Sequence, residues 1–117
     1  FKGRVLRDIA IEHMLQADVS ISLSKGEGLP IAVLESMYAG CFMILSIIPP
    51  HKEISPPLDR CLFVDPSNKL EIINSLNYVR GNIREIKARR AESREHSISN
   101  FSVDKMLDGY IKVYNSL

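Results

Sequence analysis

The run FMILSII at residues 42–48 constrains the fold of this chain more than any other part of its sequence. An apolar run without a charge is typical of a strand that is covered on both faces inside a parallel sheet. A second run, VSISLS at residues 19–24, alternates apolar and serine side chains, as a half-buried strand does. A third run, CLFV, is short and apolar. The three runs predict strands of one sheet.

Helical patterns precede, separate and follow these runs. Pro30 suits the first position of a helix and Gly40 suits its left-handed C-terminal cap, so both ends of the helix between the first two strands are marked. Alternating helices and strands with short connections predict an α/β fold, a Rossmann-like three-layer parallel sheet with helices on both faces. The predicted helices cover residues 7–16, 30–39, 69–80, 82–96 and those after Ser102, and residues 49–60 are predicted to form a loop.

Length and composition exclude several classes of protein. The 117 residues suit one domain over 1–117, and a formal net charge of +1 gives no global field that attracts nucleic acid or an anionic membrane. Cys41 and Cys61 lack metal-ligand spacing, so we expect two buried free thiols and a reducing cytoplasm. No apolar stretch approaches the roughly 20 residues of a membrane span. The histidines are scattered, and we expect no metal.

The turn SKGEG is the first candidate for a site. It follows the first strand and precedes a helix, the place where parallel sheets bind ligands. Gly26 and Gly28 allow a ligand to approach the backbone, and N–H groups near Ile31 and Ala32 offer donors to phosphate or hydroxyl oxygens. A glycine turn before a helix is also found with no ligand role, and both interpretations stay open on this evidence.

Two glutamates accompany this turn. Glu27 lies in the turn, and Glu35 lies within an apolar helical pattern, where an unpaired carboxylate is costly. One interpretation is that both side chains face one cleft and that Glu35 has a ligand. The alternative is that Glu27 complements the helix dipole and Glu35 reaches water.

These residues also resemble a known family. The stretch ADVSISLSKGEGLPIAVLESMYAGCFMILSIIPPHKEI is similar to the donor-binding segment of the family 4 (group 1) retaining glycosyltransferases, and its loop is most similar to mannosyltransferase-like members. LFVDPSN resembles the strand and turn that follow in that family. NFSVDKMLDGYIKVYNSL resembles its closing helix, although Val103 stands where an aromatic residue is commoner.

The resemblance implies the C-terminal donor-binding domain of a two-domain GT-B enzyme. Such an enzyme is a hexosyltransferase of polysaccharide biosynthesis that moves a sugar from a nucleotide-sugar donor to a sugar or lipid-linked acceptor with retention, without a metal or other cofactor. It implies that Glu27 is catalytic and lies near the donor sugar, and that Glu35 accepts hydrogen bonds from the ribose. The implied donor-binding residues are Gly26, Glu27, Gly28, Leu29, Pro30, Ile31 and Glu35.

The comparison also implies that part of the family's domain is missing. The segment FKGRV is similar to the third strand of the donor domain, so we expect the earlier strands and the acceptor domain to be absent from this chain. Alternatives to an enzyme are a non-catalytic nucleotide- or sugar-binding module and an assembly module that uses an exposed sheet edge.

Location and partners follow from the same evidence. We expect a cytoplasmic protein with no nucleic-acid partner, and an oligomer is compatible with the sequence. Residues 80–95 hold six basic and three acidic side chains, which favours a solvated helix face in which Glu85 and Arg89 pair. The alternative is peripheral contact with the inner face of a membrane that carries the acceptor.

The first prediction concerns the isolated 117-residue chain, which we expect to catalyse no measurable sugar transfer. Transfer requires an acceptor hydroxyl held against the anomeric carbon and positive groups that stabilise the leaving diphosphate. In the family these groups come largely from the absent parts. An assay with radiolabelled nucleotide sugars and mixed acceptors tests this, and turnover above the uncatalysed background would contradict it.

Overall fold

The computed structural model describes residues 3–54, 56–57 and 59–117. Helices and strands alternate as far as residue 64, and the elements after it are all helices. In chain order the elements are α1 (Arg7–Gln16), β1 (Val19–Ser22), α2 (Ile31–Tyr38), β2 (Phe42–Ser46), α3 (Pro49–Ile54), β3 (Cys61–Val64), α4 (Lys69–Ala88), α5 (Arg90–Phe101) and α6 (Val103–Ser116).

The three strands form one parallel sheet in the order β1-β2-β3, which confirms the predicted topology. In the register, Ile44 in the centre lies opposite Ile21 of β1 and Leu62 of β3. Two strands are shorter than predicted, since β1 ends at Ser22 and β2 ends at Ser46. Serines therefore stand at the carboxyl ends of two neighbouring strands.

Helices cover both faces of the sheet, and all five residues of β2 are buried. Met43 and Leu45 pack with side chains of α2 and α3, whereas Phe42 and Ile44 pack with Val79 and other side chains of α4. Full burial of each such side chain contributes about 1.5–3 kcal/mol, so the central strand stabilises both layers. This arrangement explains why the run has no alternation of polar residues.

Three sequence expectations need correction. Residues 3–6 form no strand, because Gly3 adopts a left-handed φ of 64° that interrupts an extended backbone; Phe1 and Lys2 lie outside the described residues. The predicted loop at 49–60 begins with helix α3, because prolines are tolerated in a first helical turn, whose N–H groups need no helical partner. No new helix begins at Asn82: α4 continues through a kink at that residue (φ −115°, ψ 15°). The helix ends instead at Ala88, and Arg89 separates it from α5.

Predictions for the cysteines and the two helix N-termini are confirmed. Cys41 and Cys61 are buried free thiols, and burial raises the pKa of the Cys61 thiol to about 11. The Asn68 side chain accepts hydrogen bonds from two backbone N–H groups at the start of α4. Ser102 caps α6 in the same way through the N–H of Lys105.

A buried guanidinium joins the sheet to the C-terminal helices. Arg60 is 1% exposed and precedes β3. Its Nε donates to Ser93 Oγ (3.0 Å), and Nη1 donates to the Ile86 carbonyl (3.1 Å). Nη2 lies 3.5 Å from the Gly40 carbonyl oxygen, and the group lies 5.7 Å from the centre of the Phe42 ring. Burial lowers the pKa of Arg60 from its ordinary value.

Arg90, the first residue of α5, makes a second connection between distant segments. Its Nη2 donates to the carbonyl oxygens of Leu15 (2.7 Å) and Ala39 (3.0 Å), which lie at the ends of α1 and α2. Its Nη1 lies 3.4 Å from Asp18 Oδ1. The start of α5 is thereby attached to the edge of the sheet where the strands begin.

Gly40 ends α2 in the predicted left-handed conformation, with φ 86°. Its N–H donates to the Met37 carbonyl and the N–H of Cys41 donates to that of Ser36, both at 3.0 Å, which is the Schellman pattern. A Cβ on Gly40 would lie 2.9 Å from the Arg90 carbonyl oxygen. Conformation and packing both require glycine here.

We therefore predict that Gly40→Ala lowers the free energy of unfolding by at least about 1–2 kcal/mol, the cost of a left-handed residue with a Cβ. Gly81→Ala is the matched control, because Gly81 lies in α4 and a Cβ there meets nothing within 4 Å. The control is expected to gain about 0.5–1 kcal/mol. Urea denaturation measures both, and equal stabilities of the two variants would contradict the prediction.

Candidate functional site

The site lies at the edge of the sheet where β1 and β2 end. The turn after β1 carries Glu27, and α3 follows β2 almost directly and carries His51. Because carboxyl ends of parallel strands meet at one edge, these two segments lie side by side.

Glu27 is held at this edge through one of its two carboxylate oxygens. Ser22 Oγ lies 3.4 Å from Glu27 Oε1, at hydrogen-bond distance, and His51 Nε2 lies 3.6 Å from the same oxygen. The side chain is 25% exposed. No described residue donates a hydrogen bond to Oε2.

His51 is fully buried beneath Glu27. Its Nδ1 lies 3.1 Å from both the Oγ and the carbonyl oxygen of Ser46, and Ser46 Oγ donates to the Ser24 carbonyl at 2.6 Å. Sequence reasoning treated this histidine as one of three scattered ones and missed its contact with Glu27. The signal was its position three residues after a predicted strand, at the same edge as the glycine turn.

Glu35 has a protein partner, which corrects the expectation that a ligand alone satisfies it. Arg7 Nη2 donates to Glu35 Oε1 at 2.6 Å, and the Arg7 side chain is 75% exposed. The Glu35 side chain is 25% exposed, so it reaches the protein surface. An exposed pair of this kind contributes little to stability, about 0–1 kcal/mol.

The backbone donors differ from those expected. Helix α2 begins at Ile31, one residue later than predicted, and the N–H of Ile31 donates to the Leu29 carbonyl at 2.9 Å. Buried Pro30 has no N–H to offer. No described residue accepts a hydrogen bond from the N–H of Gly28 or Leu29, and no side chain caps α2. The N–H of Ala32, the second residue of α2, also has no acceptor among the described residues, so the available donors lie both in the turn and in the first turn of the helix.

Neither glycine of the turn is required by the fold. A Cβ built on Gly26 or Gly28 meets no atom within 4 Å, and neither residue has a positive φ. The protein itself would accept a larger residue at both positions. The described structure therefore gives no reason for glycine at either position.

Two cavities lie beside the predicted site residues, and each is lined by a different subset of them. One of about 360 Å³ lies between α1, α2 and α5 and includes Arg7 and Glu35. The other, of about 240 Å³, includes Gly28, Leu29 and Pro30 together with residues of α3. Whether Glu27 and Glu35 face one cleft stays a prediction.

The basic residues of 80–95 are partly engaged within the chain. Lys87 lies 3.2 Å from Asp18, and Arg89 lies 3.7 Å from Glu85, the pair predicted from the sequence. Arg89 also binds Glu92 and Asp59, and these hydrogen bonds lower the pKa of both carboxyls. The solvated helix face predicted for residues 80–95 therefore carries several ion pairs.

The described residues offer neither a metal site nor a membrane-crossing helix. Within residues 3–54, 56–57 and 59–117, no three His, Cys, Asp or Glu side chains are grouped so that they could hold a metal ion. In the same part of the chain, every helix is too short or too polar to cross a membrane.

Comparisons with known proteins agree on one family. Residues 1–95 match the model of the glycosyl transferases group 1. Two curated sequences, each named O-antigen biosynthesis glycosyltransferase WclY from Escherichia coli, are 32% identical over 106 residues, which cover 89% of this chain. The chain spans 28% of the length of these relatives. No solved structure matches.

We predict that Ser46→Ala lowers the free energy of unfolding by about 1–3 kcal/mol, because it removes a buried hydroxyl that donates to Ser24 and contacts His51. Ser116→Ala is the control, since that hydroxyl is exposed and bonds within its own helix. The control is expected to stay within about 0.5 kcal/mol of wild type. Chemical denaturation measures both, and an unchanged Ser46→Ala midpoint would contradict the importance of this hydrogen bond.

Proposed function

The chain belongs to the group 1 glycosyl transferases, and on this premise we propose that the full-length protein transfers a hexose from a nucleotide-sugar donor to a sugar or lipid-linked acceptor. The observation that carries the proposal is the carboxylate of Glu27, fixed through Oε1 beside an uncapped helix N-terminus. A carboxylate oxygen and backbone donors at such an edge suit sugar hydroxyls and a diphosphate.

Glu27 is proposed to contact the hydroxyls of the donor sugar and to act in transfer. Its Oε2 has no hydrogen-bond donor among the described residues. A sugar hydroxyl can supply one without displacing Ser22 or His51. The glycines on either side, which the fold does not require, support close approach of the donor to the turn.

Glu35 is proposed to accept hydrogen bonds from the ribose. Arg7 donates to Oε1 alone, so Oε2 is available for a hydroxyl while the ion pair persists. N–H groups of Gly28 and Leu29 are proposed to contact the sugar or the diphosphate, a role that Ile31 cannot share while its N–H binds Leu29.

The remaining features of the proposal rest on family membership. We propose transfer with retention of anomeric configuration, no metal, and a cytoplasmic reaction in polysaccharide biosynthesis, consistent with the O-antigen role in the names of the relatives. Peripheral membrane contact is proposed through the exposed side chains of Arg80 and Arg84 on α4.

The experiment is a binding and transfer assay of the full-length protein. UDP-glucose, GDP-mannose and ADP-glucose are titrated by calorimetry, and each radiolabelled sugar is then incubated with a mixture of sugar and lipid-linked acceptors. Saturable binding of one donor followed by transfer supports the proposal. Binding without transfer would favour a binding module, and no binding would overturn the proposed function.

We predict that Glu35→Gln weakens binding of the nucleotide sugar by roughly 10- to 100-fold. A hydrogen bond to a charged group contributes about 1.5–3 kcal/mol, and the amide cannot replace the ionised carboxylate. Glu12→Gln is the matched control, because Glu12 is an exposed acid on α1 outside the site. Calorimetry measures both variants. If Glu35→Gln bound every nucleotide sugar as tightly as wild type, the ribose role would be wrong.

A further inference from the structure

One buried polar atom at this edge has no hydrogen-bond partner. Among the buried side-chain nitrogen and oxygen atoms of the described residues, His51 Nε2 alone lacks one, although the ring is fully buried. Leaving a polar atom buried without a partner is costly, and such atoms require an explanation. The proposed contacts of the donor do not use this nitrogen.

The surroundings of Nδ1 fix which nitrogen of the ring carries a hydrogen. The Ser46 carbonyl oxygen, 3.1 Å from Nδ1, can only accept. Ser46 Oγ has a single hydrogen, which it gives to the Ser24 carbonyl at 2.6 Å, so it also accepts from Nδ1. Nδ1 is therefore protonated, and this assignment follows from its partners.

The opposite nitrogen then faces an acid. With only Nδ1 protonated, Nε2 presents a lone pair to Glu27 Oε1 at 3.6 Å. A lone pair and an ionised carboxylate repel each other, and the burial of the ring strengthens that repulsion because little water screens it. A proton on Nε2 converts the repulsion into an attraction between opposite charges.

We infer that His51 Nε2 carries a proton directed at Glu27 Oε1 across 3.6 Å, and that His51 is a positioning residue for Glu27. Ser22 Oγ contacts the same oxygen, so two groups from different elements fix Oε1. The carboxylate is thereby turned so that Oε2 is presented to the ligand. Resting on the proposed function, this inference makes His51 a determinant of sugar binding rather than of nucleotide binding.

Two substitutions separate this role from a structural one. His51→Asn keeps a donor at the position of Nδ1 for Ser46 and removes the group that meets Glu27. His51→Gln places an amide N–H near the position of Nε2, where it can donate to Glu27, and loses the donor to Ser46. A merely structural histidine would be replaced better by Asn, whereas a positioning histidine would be replaced better by Gln.

The binding test uses the full-length protein, with UDP-glucose, GDP-mannose and ADP-glucose compared with UDP, GDP and ADP. We expect His51→Asn to weaken nucleotide-sugar binding roughly tenfold and to leave binding of the matching nucleoside diphosphate within about twofold. His51→Gln is expected to stay within about threefold of wild type for both. Equal loss for sugar-bearing and sugar-free ligands, or a greater loss in Gln than in Asn, would overturn the inference.

A second measurement does not depend on any ligand. In the ¹⁵N NMR spectrum of histidine-labelled full-length protein, we expect both Nδ1 and Nε2 of His51 to be protonated. Glu27→Gln is expected to shift the Nε2 signal toward that of a bare lone pair, with Glu53→Gln as the control on α3. An Nε2 signal of a lone pair in wild type, unchanged by Glu27→Gln, would overturn the inference. Failure of wild type to bind any nucleotide sugar would instead overturn the proposed function, because the NMR result stands without it.

Discussion

The packing of the C-terminal helices against the sheet depends on the hydrogen bonds of the buried Arg60 guanidinium. A charge removed from water is costly unless hydrogen bonds replace its hydration, and here two carbonyl oxygens and a serine hydroxyl lie around the group. Those acceptors belong to the end of α2, to α4 and to α5. The ring of Phe42 in the central strand lies against the Arg60 guanidinium. A single side chain thus fixes the spacing between the sheet and the helices that follow it.

The edge that carries the candidate site is connected to Arg60 through the sheet. Parallel pairing places the ends of β1 and β2 together, and each end supplies a serine and, a few residues later, an ionisable group. Glu27 and Glu35 share one property in this setting: a protein group holds Oε1, and no described residue donates a hydrogen bond to Oε2. Both acids are therefore oriented by protein groups, and this orientation would lower the entropic cost of binding the proposed donor.

Much of the fold was predictable because its signals are local. The uncharged run of β2 spans consecutive residues, and Pro30 and Gly40 mark the ends of one short helix just before it; the structure confirms the strand and the Gly40 cap. Helix α3 was missed because prolines stop a strand and also begin a helix. Contacts between distant residues gave no signal: Arg7 with Glu35 is separated by 28 positions in sequence. The pairing of His51 with Glu27 required knowledge of which segments meet at the sheet edge.

The hydrogen bonds of Arg90 bear on how the chain acquires its structure during synthesis. Arg90 contacts Leu15 and Ala39, which precede it by 75 and 51 residues. Long loops must close before such contacts form, and contacts of this separation slow folding. At roughly 5–20 residues per second, Ala39 leaves the ribosome several seconds before its partner. During that interval the Ala39 carbonyl at the end of α2 lacks the hydrogen bond from Arg90. The helix that carries Glu35 therefore gains this hydrogen bond only after the translation of α5 has begun.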